Sequence, residues 1–502
     1  MKRLAIKVLI ILCVIGVNAS AQIDVSFDTA FTNSKGTILF PLRVPSVLDL
    51  TGAGARAQGM GNAFYSISDD ISAISWNPAG LSGQERPTLG FGLGAFAPSG
   101  EFETTTGVIL QPQAHTQDET LGGLTMLTFL APVRIKGHPF TVAASYSRSA
   151  DEYDYARVVT DTMVDYTPLD DDTTTGYLGE DVQLGYHSRI DVVNFGFGTG
   201  LSSNVTGGVS INIYTNKSTS DQRVRTIQDG VTDFFGQPRE VVQDLIFLDT
   251  SKYSGVNFTL GLKMVQENLA AGLVVKTPFS LQQKTNRTVQ QDVWINNIDF
   301  TGGMVKAHFD RILTKIEMPL TVGAGLSYTL DEALTLAGDV EYRNHAGGKM
   351  KVRDSLRIIP GERDTEYFTE YNPRWKNVFA FRTGAEYVWT TGFDLFPVVP
   401  LRVGFSYVPI PTVAIVDRFG YVPIPTHEDL VGTDEYEFDS LYVEEVQHAV
   451  RSYSLGVGVR WSQIKLDVAF THSRLSRGYQ YVEAGTKNSD NNFNFTFTGY
   501  FE

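Results

Sequence analysis

The strongest constraint on what this chain can fold into is an apolar alternation with a period of two. Segments of ~10 residues, apolar at every second position and bounded by turn residues, recur about fourteen times along the sequence. Val256, Phe258, Leu260, Leu262 and Met264 form one row, Leu269, Ala271, Leu273 and Val275 the next, and Gln266-Glu267-Asn268 separates them. Leu320, Val322, Ala324, Leu326 and Tyr328 repeat the plan, turning at Leu330-Asp331-Glu332 into Leu334, Leu336, Gly338, Val340 and Tyr342. Further rows run through Phe195-Phe197, Val209-Ile213, Phe379-Phe381, Leu401-Phe405, Leu455-Val459 and Ile464-Phe470. Strands of this kind present one apolar and one polar face.

Long, mostly polar segments separate these pairs, at about 98–118, 150–180, 217–252, 279–316, 345–375, 410–449 and 477–490. Alternation of short and long connections predicts an up-and-down antiparallel β-barrel of the outer-membrane type, with tight turns on the periplasmic side and large loops outside. An even strand count, from Thr88-Phe96 to Phe493-Phe501, brings both ends of the barrel to that side. The final NFNFTFTGYF alternates aromatic and polar residues, as a barrel-assembly signal does, although Glu502 follows the terminal aromatic.

Export is written into the first residues. Lys2, Arg3 and Lys7 precede an apolar run from Val8 to Val17, and Ala19-Ser20-Ala21 supplies a small-residue cleavage site, so residues 1–21 are expected to be a signal peptide. Cys13, the one cysteine of the chain, lies inside that run, which excludes disulfides and thiolate sites from the mature protein. No later apolar run reaches the ~20 residues of a membrane helix, so a membrane span must be built from strands. A net charge of −15 argues against nucleic acid as a partner.

Between Gly52 and Gly83 runs GAGARAQGMGNAFYSISDDISAISWNPAGLSG, whose small residues permit close approach of backbone to backbone inside a confined lumen. Asp69-Asp70 is read as the start of a short helical turn, and Asn77-Pro78 as its stop. The order GARAxGMGxAF followed by DDxSAxxWNPAGL resembles the N-terminal hatch of the outer-membrane long-chain fatty acid transporter family (FadL/TodX type). LVVKTPF at 273–279, the stretches from Met318-Pro319-Leu320 through Asp339-Val340-Glu341-Tyr342, and LRVGFSY at 401–407 extend the resemblance.

The resemblance implies a fourteen-stranded barrel over residues 88–502, plugged by an arm and hatch within 22–87, that moves hydrophobic compounds passively across a bacterial outer membrane. The ligand, a fatty acid or aromatic hydrocarbon, would rest in apolar sites near the hatch and leave sideways through a gap in the wall. Asn77, Pro78 and Ala79 match the hatch motif associated with opening that path. No ligand-pocket residue is assigned by motif, and no cofactor or metal is expected. The partners implied are the hydrophobic compound, outer-membrane lipid and, during biogenesis, the assembly machinery.

Enzyme readings lack their minimum parts. The glycines Gly52, Gly54, Gly59 and Gly61 have no βαβ context for a phosphate cradle, the eight histidines form no HExxH, and no GxSxG is present. Asp170-Asp171-Asp172 is read as a solvated loop, because adjacent carboxylates do not supply the spaced ligands of a calcium site. The competing functional class is a PorV-type barrel, similar over GARAQGMG, that docks exported proteins in type IX secretion.

Overall fold

The computed structural model describes residues 50–104, 109–110, 121–166, 174–232, 238–295, 298–299, 305–353, 369–371, 375–417, 443–478 and 484–501. The expected signal peptide at 1–21, the arm before Leu50 and Asp170-Asp172 lie outside them.

The architecture is a closed fourteen-stranded antiparallel barrel preceded by the N-terminal segment. In chain order the strands are β1 (Thr88–Thr104), β2 (Leu121–Ile135), β3 (His138–Tyr166), β4 (Thr174–Gly200), β5 (Val205–Thr232) and β6 (Pro238–Gln266). Next come β7 (Leu269–Lys276 and Phe279–Ile295), β8 (Val305–Met318 and Thr321–Leu330), β9 (Leu334–Arg343 and Met350–Arg353) and β10 (Thr369–Tyr371 and Val378–Thr390). The last four are β11 (Val398–Asp417), β12 (Val443–Arg460), β13 (Ile464–Gly478) and β14 (Ala484–Tyr500). Each pairs with its neighbours in sequence, and β1 closes on β14 from Thr88 opposite Tyr500 to Thr104 opposite Ala484. Closure leaves no edge, which is what a sheet in lipid requires.

The short connections need left-handed backbone and find it. Lys136 (φ 51°) and Gly137 (φ 84°) turn β2 into β3, Glu267 (φ 51°) turns β6 into β7, and Asp331 and Glu332 (φ 46° and 56°) turn β8 into β9. Gly137 is the residue such a turn favours, and the carboxylate side chains lie in solvent.

The barrel is inside out relative to a soluble sheet. Leu260, Leu326, Phe381, Val403 and Leu455 are exposed on the outer surface, where hydrocarbon would cover them, whereas Asp339, Glu341, Arg382, Glu386, Arg402 and Asp467 are buried inside. Polar residues in the apolar-alternating strands therefore face the lumen. Tyr342 and Phe379 (ring centroids 4.8 Å apart), Phe405 and Tyr453 (5.4 Å) and Phe470 and Phe493 (4.8 Å) pair across strands on the outer face.

Several of the segments expected to be loops are strand. β3 to β6 run for 29, 27, 28 and 29 residues, well beyond the roughly ten that cross a bilayer. The ladder simply continues: β5 and β6 stay paired from Val205 opposite Met264 to Thr232 opposite Pro238. Threonines, valines and tyrosines favour the extended backbone there, and water on both sides removes the need for apolar alternation.

Leu260→Arg places a charge on the outer face of β6. It is expected to destabilise the barrel by about 2–4 kcal/mol if that position lies near the bilayer midplane, measured as the shift in urea-dependent refolding into phospholipid vesicles.

Candidate functional site: the hatch, the luminal cluster and a break in the wall

Residues 50–87 fold back into the barrel as short pieces: α1 (Ala55–Gly59), α2 (Ala73–Trp76) and a 3-10 turn (Pro78–Gly83). The helix α2 stops where Asn77 turns extended (φ −140°, ψ 102°) ahead of Pro78. Asn77 Oδ1 then accepts from Ala79 N at 3.1 Å, opening the 3-10 turn. The same side chain donates through Nδ2 to Tyr65 O (2.8 Å) within the hatch and to Leu262 O (3.0 Å) of β6. Asn77 thus ties the Asn77-Pro78-Ala79 segment to both the hatch and the wall.

That approach depends on glycines in the wall. Gly198, Gly208 and Gly261 lie in register on β4, β5 and β6, and a Cβ on any of them would collide with the hatch between Asn77 and Ser82. Gly272 of β7 likewise faces Tyr65 O, and Gly384 and Gly404 face Met60 and Gly61. The small residues of the hatch find their counterparts in the wall, so backbone packs on backbone from both sides.

Charge holds the other half of the hatch. Arg56 makes a bidentate pair with Glu386 of β10 (Nε to Oε2 2.9 Å, Nη2 to Oε1 3.0 Å) and also binds Asp69. Glu386 is held in turn by Arg402 of β11 (2.6 Å) and Arg460 of β12 (3.1 Å), and Arg402 reaches Asp467 of β13 at 2.8 Å. Burial opposes the Arg56 charge, but Asp69 and Glu386 outweigh it and keep the guanidinium's pKa above its ordinary value. A second node lies on β9. Asp339 Oδ2 accepts from Phe64 N (2.6 Å) and Tyr65 N (2.9 Å), and the Tyr65 hydroxyl donates to Glu341. Burial, and then the Glu341 carboxylate, push the Tyr65 phenol well up, so it stays a donor.

Asp70 keeps a place at the helix start, whereas Asp69 leaves it. Asp69 is the outer partner of Arg56, while Asp70 accepts from Ser72 N (2.8 Å) and Ser72 Oγ (2.6 Å) ahead of α2. Luminal cations compete with the local preference of carboxylates for a helix start.

Above the hatch lies an apolar cluster that no sequence motif announced. Ala150, Ile190, Val192, Tyr214, Tyr253, Leu281, Ile316, Met318, Met350 and Trp375 are buried together, contributed by every strand from β3 to β9 and by the segment just before Val378, and Leu50 of the hatch and Phe279 pack against them. Tyr214 stacks on Phe279 with centroids 4.8 Å apart and planes 11° from parallel.

Beside this cluster the β2–β3 ladder is interrupted among the described residues, β3 pairing again at Thr160 and Asp161 with Leu110 and Ile109. The β2–β3 ladder ends at Met126 opposite Ser147, although β2 continues to Leu121 along β1. β3 continues too, through a bulge between Arg148 and Ala150 that leaves Ser149 extra against β4. Ser149 Oγ donates to Thr51 O of the hatch at 3.0 Å, and Ala150 belongs to the cluster. Hatch, cluster and wall break therefore meet around residues 50–51 and 147–150.

Solved structures share this arrangement of chain. The toluene transporter TodX of P. putida superposes over 90% of this chain and 100% of its own with a TM-score of 0.54 at 13% identity. A Pseudomonas aeruginosa FadL homologue covers 91% and 100% with a TM-score of 0.52 at 11% identity, and the Ralstonia pickettii toluene transporter TbuX 90% and 100% with 0.51 at 13%. The chain has the FadL/TodX barrel fold. At these identities the likeness speaks for fold. No family model and no curated protein matches the sequence.

Glu386→Gln leaves Arg56, Arg402 and Arg460 without their shared anion. Removing one partner of a buried ion pair costs about 3–5 kcal/mol, so amides of residues 55–65 are expected to lose hydrogen-exchange protection while those of the barrel strands keep theirs.

Proposed function

We propose that this protein is an outer-membrane channel for passive uptake of hydrophobic compounds, with the hatch as its gate. The observation that carries the reading is the contact of three features at one place: an apolar cluster inside the lumen, the start of the hatch at Leu50-Thr51, and the end of the β2–β3 ladder at Ser147. An apolar molecule gains by leaving water for such a cluster. The ionic and glycine-packed hatch fills the periplasmic end of the lumen with polar groups that an apolar molecule cannot replace, and the wall break offers it the membrane instead.

In this reading Asn77, Pro78 and Ala79 gate the path. Asn77 is the hydrogen-bonded link between the turn and β6, and the remainder of the contact is close packing on glycines. Movement of this segment breaks few bonds, whereas movement of α1 breaks the Arg56 ion pairs. The hatch turns on its charged half.

The cluster side chains are aromatic and aliphatic, and the buried imidazole of His345 packs edge-on against Trp375 with centroids 5.9 Å apart. That composition favours a neutral aromatic hydrocarbon over a carboxylate, which would need a positive partner where it rests. The long extracellular reach of β3 to β6 supports one other reading, a barrel that docks a protein at the cell surface.

Uptake of radiolabelled toluene and of radiolabelled oleate by cells carrying the protein separates these. Saturable toluene uptake above a barrel-free control, reduced several-fold by Trp375→Ala and by Asn77→Ala with Pro78→Ala in equally assembled barrels, is expected. No uptake of either compound would move the assignment to the docking barrel, and preferential uptake of oleate would overturn the neutral-ligand assignment.

A further inference from the structure

Among the described residues the ladder is also interrupted, far from the β2–β3 break, between β10 and β11. Val378, Phe379 and Ala380 pair with Arg343, Tyr342 and Glu341 of β9, but pairing with β11 stops at Phe381 opposite Tyr407. The cause lies in β11, where Pro409 and Pro411 have no N–H to give and the register against β12 shifts between Pro409 and Val413.

Two contacts bridge the seam. Lys376 N donates to Pro411 O at 2.7 Å. The side chain of Gln447, from β12, reaches across β11 and donates through Nε2 to Ile410 O (2.8 Å) and to Asn377 O of the β10 side (3.2 Å). A side-chain amide on rotatable bonds thus stands in for backbone donors. Elsewhere, parting two strands in lipid strands a row of peptide groups without partners, each at a cost of several kcal/mol. Here the carbonyls lean on one side chain.

Both faces of the seam are apolar. Val378, Ala380 and Val408 form a small buried cluster on its inner side, and Phe379 points outward, 54% exposed, in the aromatic pair with Tyr342. Trp375, three residues before Val378, belongs to the luminal cluster.

We propose that the β10–β11 seam is a second lateral portal, through which an apolar solute dissolved in the membrane reaches the lumen beside Trp375, and that Gln447 is its latch. The proposal rests on the uptake reading and adds a route to it. The β2–β3 break is an end of pairing, whereas the β10–β11 seam is closed by one backbone bond, from Lys376 to Pro411, and by a side chain that can swing away. Two discontinuities on different sides of one apolar cluster allow entry and exit from the bilayer without passage through the hatch. A purely structural Gln447 would satisfy the same two carbonyls and never release them.

Thiol labelling from within the bilayer distinguishes these. In a Cys13→Ala background, Val408→Cys sits at the seam and Ser406→Cys faces the lumen one inward position away, on intact ladder. The barrel is reconstituted in phosphatidylcholine–phosphatidylglycerol vesicles holding N-pyrenylmaleimide. The portal requires Val408→Cys to label faster than Ser406→Cys, and Gln447→Ala to speed labelling of Val408→Cys several-fold while leaving Ser406→Cys unchanged. Equal labelling of the two positions, indifferent to Gln447→Ala, would overturn the portal. A second arm staples the seam with Ala380→Cys and Val408→Cys and follows radiolabelled toluene entering cells. Oxidation should slow uptake several-fold and reduction restore it. An unchanged rate in the oxidised protein, with wild type above the barrel-free control, sinks the portal and leaves the uptake reading standing. Wild-type uptake at the control level sinks the uptake reading, and with it the portal as an entry, whatever the labelling shows.

Discussion

Every peptide group of a chain in hydrocarbon must find a partner within the protein, and the rest of this structure follows from that demand. It forces closure of β1 on β14 and forces the polar alternate residues inward. The lumen therefore starts out polar, and an apolar cluster there is the exception to explain. It also makes the ladder the wall's real barrier. Where pairing is complete, as from Leu269 to Lys276 against β6 and β8, the wall is sealed whatever the side chains are. Where pairing lapses, as beyond Ser147 and beyond Phe381, side chains carry more of the barrier.

The two halves of the lumen divide the labour that this polarity makes possible. The wall from β9 to β13 carries the charges: Asp339 and Glu341, Arg382 and Glu386, Arg402, Arg460 and Asp467. They meet Arg56 and Tyr65 and hold the first half of the hatch. From β4 to β6 an amide ladder crosses the wall beneath the cluster, with Asn194 Nδ2 donating to Asn212 Oδ1 and Asn212 Nδ2 to Asn257 Oδ1, both at 2.7 Å, and Lys263 of β6 donates to Ile67 O of the hatch. The glycine row of the same strands receives the Asn77–Gly83 turn. One half anchors by ion pairs that are costly to break, and the other by shape, which permits a small shift.

The barrel and the hatch were legible in the sequence because each depends on a local signal. Lipid on one face and a packed lumen on the other impose the period of two seen at Val256–Met264, and close backbone approach imposes the small residues from Gly52 to Gly61. The extension of β3 to β6 was hidden for the converse reason: with water on both faces nothing requires alternation, so a paired strand reads as a polar loop. The ion-pair network was hidden by distance, since Arg56 and Glu386 are 330 residues apart. Of Asp69-Asp70, read as a helix start, Asp70 does bond Ser72 ahead of α2, whereas Asp69 is drawn away to Arg56 of α1. The apolar cluster takes one or two residues from each of seven strands, with Trp375 from the segment before Val378, a pattern that no linear motif contains.

The breaks in the ladder show how far a local signal can mislead about its own meaning. Pro409 and Pro411 look like ordinary loop residues at the edge of a polar segment, and Gln447 like one of many polar residues at the start of a strand. Only register gives them a joint meaning. Two missing donors on β11 leave carbonyls that must be satisfied, and the side chain that reaches both Ile410 O and Asn377 O comes from β12, on the far side of β11. A barrel needing nothing but strength would place ordinary β-formers at these positions and let the backbone close the seam. Two prolines and one amide at a point lined by Val378, Ala380 and Val408 make the wall weaker there than it need be. In a membrane protein a weakness of that kind is a cost, and it is borne beside Trp375 of the apolar cluster, with a closure that rests on one backbone bond, Lys376 N to Pro411 O, and one rotatable side chain.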